Sequence, residues 1–452
     1  MYINRLRLQN IRLLADETLS FEDGPGGKPR LWTAIVGENG LCKSTILQSI
    51  ALAALGPTLA TAVAQDSQRF RAAGSDDRSA VIQATFEDDA GVFSSRLTVH
   101  RGRHDFEGGG RHDGNGPRHR SGPRSYDEPF SIHEEPGEDY LPPPPSRGDP
   151  DIGTDFISDV RARRTPGWFL VGYGVGRYLA APGEVSPLRD PIVDRVRGLF
   201  DPRHKMLGLN FSRAFSSQRH AMRFGRTLRT VLRTAADGGE LLPGFLSIDL
   251  KTVETVSIRV GERNLHIPAG WLSDGHQAVI AWIADLLGHA MFESAASGDP
   301  AELEGIVLLD EIDLHLHPTW QRQIVSLLRR AFPRLQFVVT THSPLVLGAF
   351  DRSEIIRLRL DGGTVVQDPA AIEPGVLTAS ETLTSYFSVA QAGRPDLVAK
   401  ERRYRELLAL TRPNKTEREE LATLAADLDQ YLTASGPSGG MRSPRDIGEH
   451  RG

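Results

Sequence analysis

The sequence AIVGENGLCKST, at residues 34–45, decides the fold of this chain. An apolar strand pattern runs into a glycine-rich turn, and Lys43 and Ser44 then open the apolar helix pattern ILQSIALAAL at residues 46–55. In such a strand–turn–helix unit, backbone N–H groups and the N-terminus of the helix point at an anion. The pattern predicts a phosphate-binding loop of the Walker A type, formed by Gly37, Glu38, Asn39, Gly40, Leu41, Cys42, Lys43, Ser44 and Thr45.

Within this loop the chemistry of each side chain suggests a role. Lys43 would reach the β- and γ-phosphates of a nucleotide, and the Ser44 hydroxyl would bind Mg²⁺. The pattern G-x-x-x-x-G-K-[ST] has glycine before the lysine, whereas this chain has Cys42. A Cβ at that position hinders the approach of backbone to phosphate, so weaker nucleotide binding or turnover is expected.

Composition narrows the class of protein. The 452 residues carry a formal net charge of −5, so any nucleic-acid-binding surface must be local. Cys42 is the single cysteine, which excludes a disulfide framework and a cysteine-rich zinc site. The sequence contains neither a signal-peptide pattern nor an apolar run of the roughly 18 residues that a membrane span needs. We expect a soluble, cytoplasmic protein without membrane contact.

The organisation along the chain predicts one interrupted domain and a tail. Residues 1–100 hold the phosphate-binding loop and alternating strand patterns. Residues 101–164 are rich in Gly, Arg, His and Pro and then acidic, which is typical of a disordered insertion. Ordered patterns return over residues 165–375, and residues 376–452 are expected to form a helical C-terminal extension.

Further polar residues follow apolar strand patterns later in the chain. Asp310 and Glu311 come directly after the apolar residues 305–309, and His342 follows the apolar strand pattern 335–340. Asp310 is the Walker B type of carboxylate, which would hold Mg²⁺ through water. Glu311 is placed to orient or deprotonate an attacking water. The segment LSDGHQ opens a further helix and contributes Ser273, Asp274, Gly275 and Gln277.

The order of these parts resembles the ABC-type ATPases of the RecF and structural-maintenance-of-chromosomes kind. Within them it is similar to the AAA-family ATPases of prokaryotic antiphage defence typified by PtuA of the Septu system, on the segments LSDG at residues 272–275 and DEIDLHLHP at residues 310–318. The resemblance implies an α/β P-loop NTPase fold with an ATPase head and a helical lobe. It also implies ATP and Mg²⁺ as ligands, and catalysis by Glu311 together with His342 as the switch histidine.

The resemblance further implies assembly. Two heads would sandwich two ATP molecules, so that Ser273, Asp274, Gly275 and Gln277 meet the ATP held by the opposite subunit. His315 and His317 would lie in the loop that crosses this interface, although the pair also invites a metal-site interpretation. The glutamine that usually follows the strand before the helical lobe is not evident near Tyr173, and no long heptad coiled coil is present.

A row of arginines marks the predicted helical lobe. They recur at steps of three and four and consist of Arg219, Arg223, Arg226, Arg229 and Arg233. Such a row is a candidate contact for the phosphates of double-stranded DNA. The alternative is a solvated helix face, or one that pairs with the acidic insertion.

The C-terminal tail, residues 376–452, indicates which kind of partner protein to expect. It has the pattern of two charged amphipathic helices, without the strand pattern of a Toprim nuclease or the paired histidines of an HNH nuclease. By resemblance we therefore expect a sensor or regulator of a separately encoded nuclease, with the HNH type as first expectation, docked on residues 376–452. Two alternatives stay open: a RecF-like DNA-repair ATPase that clamps DNA, and a catalytically weak scaffold in which nucleotide is structural.

Overall fold

The computed structural model describes residues 1–72, 79–88, 91–112, 168–180, 191–215, 217–236, 239–249, 255–293, 299–369, 372–389, 395–408, 410 and 414–432. The chain forms two units, Met1–Leu377 and Thr378–Gly452. The strands are β1 (Tyr2–Ile11), β2 (Leu14–Ser20), β3 (Trp32–Val36), β4 (Ala80–Asp88), β5 (Gly91–Val99), β6 (Glu107–His112), β7 (Leu170–Tyr173), β8 (Ala235–Ala236), β9 (Gly239–Glu240), β10 (Phe245–Asp249), β11 (Thr255–Val260), β12 (Arg263–Pro268), β13 (Gly305–Leu309), β14 (Leu335–Thr340), β15 (Ile355–Asp361) and β16 (Thr364–Asp368). The helices are α1 (Lys43–Leu55), α2 (Pro57–Ala64), α3 (Pro191–Arg197), α4 (Phe211–Ala214), α5 (Gln218–Leu232), α6 (Asp274–Glu293), α7 (Pro318–Gln321), α8 (Ile324–Ala331), α9 (Pro344–Leu347), α10 (Ala379–Phe387), α11 (Pro395–Leu408) and α12 (Lys415–Leu432).

A six-stranded sheet at the centre of the first unit has the order β16-β15-β3-β14-β13-β7. Its strands β7, β13, β14, β3 and β15 are parallel, and β16 is antiparallel at one edge. Every residue of β3, β13 and β14 is buried, as expected for apolar strands covered on both faces. The carboxyl ends of parallel strands lie at one edge, so the segments after β3, β13 and β14 meet there.

An antiparallel sheet of order β2-β1-β4-β5-β6 forms a second layer. Helix α1 contacts strands of both sheets, including β4 and β14, and nearly all of its residues are buried. Around it Phe21, Phe86 and Trp168 fill the core, and the Trp168 indole N–H donates to the carbonyl of Ala54 over 3.2 Å. A third sheet, β10-β11-β12, completes the unit beside the pair β8-β9.

Several predicted elements differ in their bounds. The segment predicted as an insertion from residue 101 contains β6, which pairs with β5 because its backbone continues the antiparallel ladder; residues 113–164 lie outside the described residues. Helix α6 begins at Asp274, inside the segment LSDGHQ that was predicted to open it. The sequence pattern at residues 319–332 predicts one helix, which the structure divides into α7 and α8. At the division the Gln323 amide donates to the carbonyl of Trp320, three residues earlier and not four, at 2.9 Å.

The second unit consists of α10, α11 and α12. Thr378 caps α10 in a reciprocal pair with Glu381. Helices α11 and α12 pair through Lys400–Asp427 at 2.6 Å and Arg403–Glu420 at 2.8 Å. The predicted role of residues 376–452 as a separate extension stays a prediction. Of the helices in the described ranges, none has the length and apolarity required to cross a membrane.

Candidate functional site

A cavity of about 320 Å³ lies at the carboxyl edge of the central sheet. It is lined by Arg12, Leu13, Asn39, Gly40, Leu41, Cys42, Lys43, Ser44, Thr45, Asp310, Glu311, Thr340 and His342. The loop after β3, the segment after β13 and the end of β14 thus meet around one space, as the parallel topology requires. Ten of the residues predicted for the phosphate, metal and catalytic roles are brought together here.

Lys43 holds the loop closed on itself. Its ammonium group donates to the carbonyls of Gly37 at 2.9 Å and Glu38 at 2.8 Å. An ammonium has three N–H donors, so one remains for a phosphate oxygen in the cavity. Burial lowers the pKa of Lys43, and the nearby Asp310 carboxylate opposes that effect. Gly37 is required by packing, since a Cβ there would lie 2.8 Å from the carbonyl oxygen of Leu358.

Cys42 occupies the N-cap of α1 in the left-handed region, with φ +60° and ψ 17°. Residues with a Cβ adopt this conformation at a cost of roughly 1–2 kcal/mol, which glycine avoids. The thiol side chain is buried in the core around α1. The departure from glycine is therefore accommodated by backbone strain offset by apolar packing, and the loop retains the same turn.

Asp310 is fixed through both carboxylate oxygens. Ser44 Oγ donates to Oδ2 at 2.7 Å, and Thr340 Oγ1 donates to Oδ1 at 2.5 Å. A serine hydroxyl and a carboxylate are oxygen ligands of the kind that Mg²⁺ takes, and both face the cavity. These two residues fit the predicted metal role, in which Mg²⁺ would supply positive charge to phosphate oxygens.

Glu311 lines the same cavity in a strained conformation, with φ +49°. Its amide donates to Thr340 Oγ1 at 2.7 Å, and its carbonyl accepts from the Arg177 guanidinium at 2.6 Å. Burial and the negative charges of Asp310 and Asp313 raise the pKa of the Glu311 carboxyl. A raised pKa suits a group that accepts a proton from water.

His342 lies at the end of β14, and its amide donates to Asp313 Oδ1 at 3.4 Å. Thr341 Oγ1 donates to the same oxygen at 2.6 Å, so Asp313 joins the segment after β13 to that after β14. Burial and the charge of Lys43 lower the pKa of the His342 imidazole, which favours its neutral form. A neutral imidazole can donate one hydrogen bond to a phosphate oxygen.

Two arginines at the site were not predicted from the sequence. Arg12, in the turn between β1 and β2, donates to Thr45 Oγ1 at 2.8 Å and stacks over the Phe70 ring at 5.8 Å. Arg177 is buried beneath Asp310 and Glu311. The signal for Arg177 was the glycine-rich run at residues 172–176, where the expected glutamine is missing. No sequence pattern pointed to Arg12, since only the fold brings it to the phosphate-binding loop.

The predicted signature residues lie outside this cavity. Ser273 Oγ and His276 Nδ1 are 2.7 Å apart, and the Gln277 side chain donates to the carbonyls of Gly270 at 3.1 Å and Leu272 at 2.7 Å. Asp274 is the first residue of α6. A Cβ on Gly275 would lie 2.5 Å from the carbonyl oxygen of His315, so this position requires glycine. The four residues therefore form a self-supporting helix start within the chain.

The predicted arginine row lies on α5 and just beyond its end. Phe224, Leu228 and Val231 bury the opposite face of the helix. Four of the arginines are exposed and Arg223 is half-buried, the exposed ones being Arg219, Arg226, Arg229 and Arg233. The Arg229 side chain donates to the carbonyl of Gly225 at 3.1 Å. This surface is separate from the residues that line the cavity.

Comparison with known proteins identifies the family. The family described as "AAA domain, putative AbiEii toxin, Type IV TA system" matches residues 32–348, more than half of the chain. The chain is 34% identical over 191 residues to the "Retron Ec83 probable ATPase" of Escherichia coli, covering 42% of this chain and 34% of that protein. It is 37% identical over 161 residues to the Septu protein PtuA of Bacillus mycoides (strain KBAB4), covering 35% of this chain and 22% of that protein.

The chain thus spans about a third or less of the length of these curated relatives. Among solved structures, the SMC head domain from Thermotoga maritima is 20% identical with a TM-score of 0.43, covering 82% of this chain and 100% of that chain. The family match and the parallel sheet with its phosphate-binding loop confirm the predicted P-loop ABC-type ATPase head. The chain belongs to the AAA-domain ATPase family of phage-defence systems, and within it resembles PtuA.

Proposed function

We propose that this chain binds ATP with Mg²⁺ and hydrolyses it slowly to ADP and phosphate. The observation that carries the proposal is the meeting of Lys43, Ser44, Asp310, Glu311 and His342 on one cavity at the carboxyl edge of the parallel sheet. Each supplies a function that phosphoryl transfer to water needs: phosphate binding, a metal ligand, and orientation of the nucleophile.

In the proposed reaction Lys43 and the loop amides hold the β- and γ-phosphates. Ser44 and Asp310 would hold Mg²⁺, which would supply positive charge to the phosphate oxygens. The Glu311 carboxylate accepts a hydrogen bond and then a proton from the water that attacks the γ-phosphorus, while the bond to the β–γ bridging oxygen breaks. His342 donates to a γ-phosphate oxygen.

Steady-state ATP hydrolysis by the purified chain tests this proposal. We expect slow Mg²⁺-dependent turnover that falls by roughly 100-fold or more in Glu311→Gln, with nucleotide affinity retained. Lys43→Ala is expected to lose affinity. If the wild-type chain does not hydrolyse ATP and Cys42→Gly does, the result would instead favour the scaffold alternative, in which the nucleotide is a structural ligand. Equal rates in wild type and Glu311→Gln would contradict the assigned role of Glu311.

We further propose that ATP drives head-to-head dimerisation or higher assembly. Support comes from the signature residues, which form an exposed helix start away from the cavity of their own chain. The test is the molecular mass of the Glu311→Gln variant in solution, measured with and without ATP. A dimer is expected only with ATP, and Ser273→Arg should abolish it while leaving nucleotide affinity unchanged. A dimer that persists in Ser273→Arg would exclude this surface.

The biological role we propose is that of a sensor or regulator of a separately encoded nuclease, with an HNH nuclease as first candidate. The relatives from retron and Septu systems support a place in phage defence. Docking is proposed on the second unit, where Arg402 and Glu419 are exposed. Reversing both charges should reduce co-purification of a candidate HNH nuclease that is co-expressed with this chain, and should leave ATP turnover unchanged. Undiminished co-purification would exclude this docking surface. A cytoplasmic location stays a prediction.

A second candidate function is a RecF-like DNA-binding ATPase. The exposed arginines on α5 and at its end favour it, because a local group of positive charges can contact the phosphates of DNA. Strong stimulation of ATP turnover by double-stranded DNA, in the absence of any nuclease partner, would support this function over the first.

A further inference from the structure

Arg177 is a buried cation that lies under Asp310, the proposed metal ligand, and Glu311, the proposed catalytic carboxylate. Its side chain is 4% exposed. The guanidinium donates to the carbonyl oxygens of Gly174 at 3.1 Å and Glu311 at 2.6 Å, and to that of Asp310. One side chain thus joins the segment after β7 to both residues that follow β13.

The peptide that Arg177 holds is the strained one. Glu311 has φ +49°, a conformation that L-residues with a Cβ rarely adopt. Such a conformation persists only where the surroundings fix it. Here Thr340 Oγ1 accepts from the Glu311 amide at 2.7 Å, and Arg177 donates to the Glu311 carbonyl on the other side. The direction in which the Glu311 side chain leaves the backbone is therefore set by two hydrogen bonds from outside its own segment.

The electrostatics explain why a charge is tolerated at this depth. Burial lowers the pKa of Arg177 to about 10, so the guanidinium stays charged near neutral pH, and Asp310, Glu311 and Asp313 oppose the lowering. Its hydrogen bonds within the described part of the chain go to main-chain carbonyls. The carboxylates of Asp310 and Glu311 are thereby left to face the cavity.

We propose that Arg177 is a positioning residue for ATP hydrolysis, which acts by clamping the backbone of Asp310 and Glu311 so that the Glu311 carboxylate points at the attacking water. The inference rests on the proposed function of Glu311 and adds a residue that does not line the cavity. It requires the planar fork of arginine, because a lysine ammonium offers a single nitrogen and cannot reach three carbonyls in this fixed arrangement.

The test compares Arg177→Lys and Arg177→Gln with the wild-type chain. Both variants should lose about 100-fold in kcat, the effect expected when a reacting group is misplaced by about 1 Å. Affinity for ATP, measured with Mg²⁺ present, should change by less than about threefold, because Arg177 does not line the cavity. A merely structural role would lower both quantities together with the amount of folded protein.

The matched control is Arg30→Lys. Arg30 is also buried, and its guanidinium also donates to a main-chain carbonyl, that of Ser20, without contact to Asp310 or Glu311. It should leave kcat within about twofold of the wild-type value. A second comparison places Arg177→Lys in the Glu311→Gln background, where it should cause no further loss of turnover, because residues that act through one group are not additive.

A wild-type kcat in Arg177→Lys would overturn the clamp, and so would a further loss of turnover when Arg177→Lys is added to Glu311→Gln. Neither result would contradict the proposed ATPase activity. Equal turnover of Glu311→Gln and wild type would overturn the proposed role of Glu311, and the clamp with it. If Arg177 variants do not fold, Thr340→Val removes the hydrogen bonds of Thr340 to both clamped residues, the Glu311 amide and the Asp310 carboxylate, and Thr340→Ser restores them. Loss of kcat in Thr340→Val with rescue in Thr340→Ser is expected, and unchanged kcat in Thr340→Val would contradict the clamp.

A structural measurement accompanies these rates. Amide hydrogen exchange over residues 310–313 should quicken in Arg177→Lys and remain as in wild type in Arg30→Lys. Unchanged exchange in Arg177→Lys would show that the guanidinium does not hold this peptide, independently of any ATP turnover.

Discussion

Ser44 and Asp310 are 266 positions apart in the sequence, and the Ser44 hydroxyl donates a 2.7 Å hydrogen bond to the Asp310 carboxylate. The contact joins the first turn of α1 to the end of β13. It exists because β3 and β13 flank β14 in the same parallel sheet, which brings their carboxyl ends to one edge. Both predicted Mg²⁺ ligands are thus in contact with one another.

Ser44→Ala should weaken ATP binding by roughly tenfold in the presence of Mg²⁺ and have little effect in its absence, because it removes a metal ligand and leaves the loop amides in place. Titration of a fluorescent ATP analogue with Mg²⁺ or with a chelator measures the difference. Ser49→Ala is the control, since Ser49 lies on the same helix and its hydroxyl donates to the carbonyl of Thr45. An equal loss of ATP affinity with and without Mg²⁺ would argue against Ser44 as a metal ligand.

Cys42→Gly should be more stable than Cys42→Ala by about 0.5–1 kcal/mol, because both variants lose the thiol packing but glycine alone relieves the strain at φ +60°. This order of stability is the reverse of the order inside a helix, where alanine is more stable than glycine. At Ser49, inside α1, the alanine variant should exceed the glycine variant by about 1 kcal/mol. Urea denaturation of the four variants checks this. A more stable Cys42→Ala would mean that the left-handed strain is smaller than expected.

Asp285 on α6 gives a pH-dependent contribution to stability. It accepts from the Tyr173 hydroxyl at 3.3 Å and the Gly208 amide at 3.2 Å, and burial raises its pKa to about 7. The folded state therefore holds its proton more tightly than the unfolded state, whose carboxyl titrates near 3.8. Its contribution to the free energy of unfolding is fully present below that value and is lost as the pH rises to about 7.

Asp285→Asn removes this titration. The free energy of unfolding of the variant minus that of the wild-type chain should rise by about 1.4 kcal/mol per pH unit between about pH 4 and pH 7, and then stay level. Buried His289, whose pKa is lowered by burial and by Arg195, contributes in the opposite sense, so the wild-type curve alone understates the effect. Urea midpoints across this range give the difference, and a difference that is constant with pH would contradict it.

The exposed arginines of α5 allow a quantitative test of DNA contact. If Arg219 and Arg226 each meet a phosphate, replacing both by alanine should reduce the slope of log affinity against log salt by about two. Replacement of Arg203 and Arg359, exposed arginines elsewhere in the first unit, serves as the control. An unchanged slope in the α5 variant would assign the arginine row to a solvated face.

The local elements could be predicted from the sequence because their signals are local. The phosphate-binding loop, the apolar strands before Asp310 and His342, and the helix after the glycine-rich turn each follow from residues adjacent in the chain. Their shared edge came from the structure, in which these strands are parallel and end on the same side. The helix divided at Gln323 and the strand at residues 107–112 were missed, because tertiary contacts outweigh weak local preferences there.

Only the tertiary structure decided how the site is held. Arg12 reaches Thr45 through the turn between β1 and β2, and Arg177 reaches Glu311 across 134 positions of sequence. Neither contact has a sequence spacing that reveals it, because Arg177 binds backbone carbonyls and Arg12 binds a hydroxyl on helix α1. Local patterns of strand, turn and helix were enough to predict the groups that line the cavity. The packing of the sheet decided their distances, their strain and their charge states, since those depend on neighbours far along the chain.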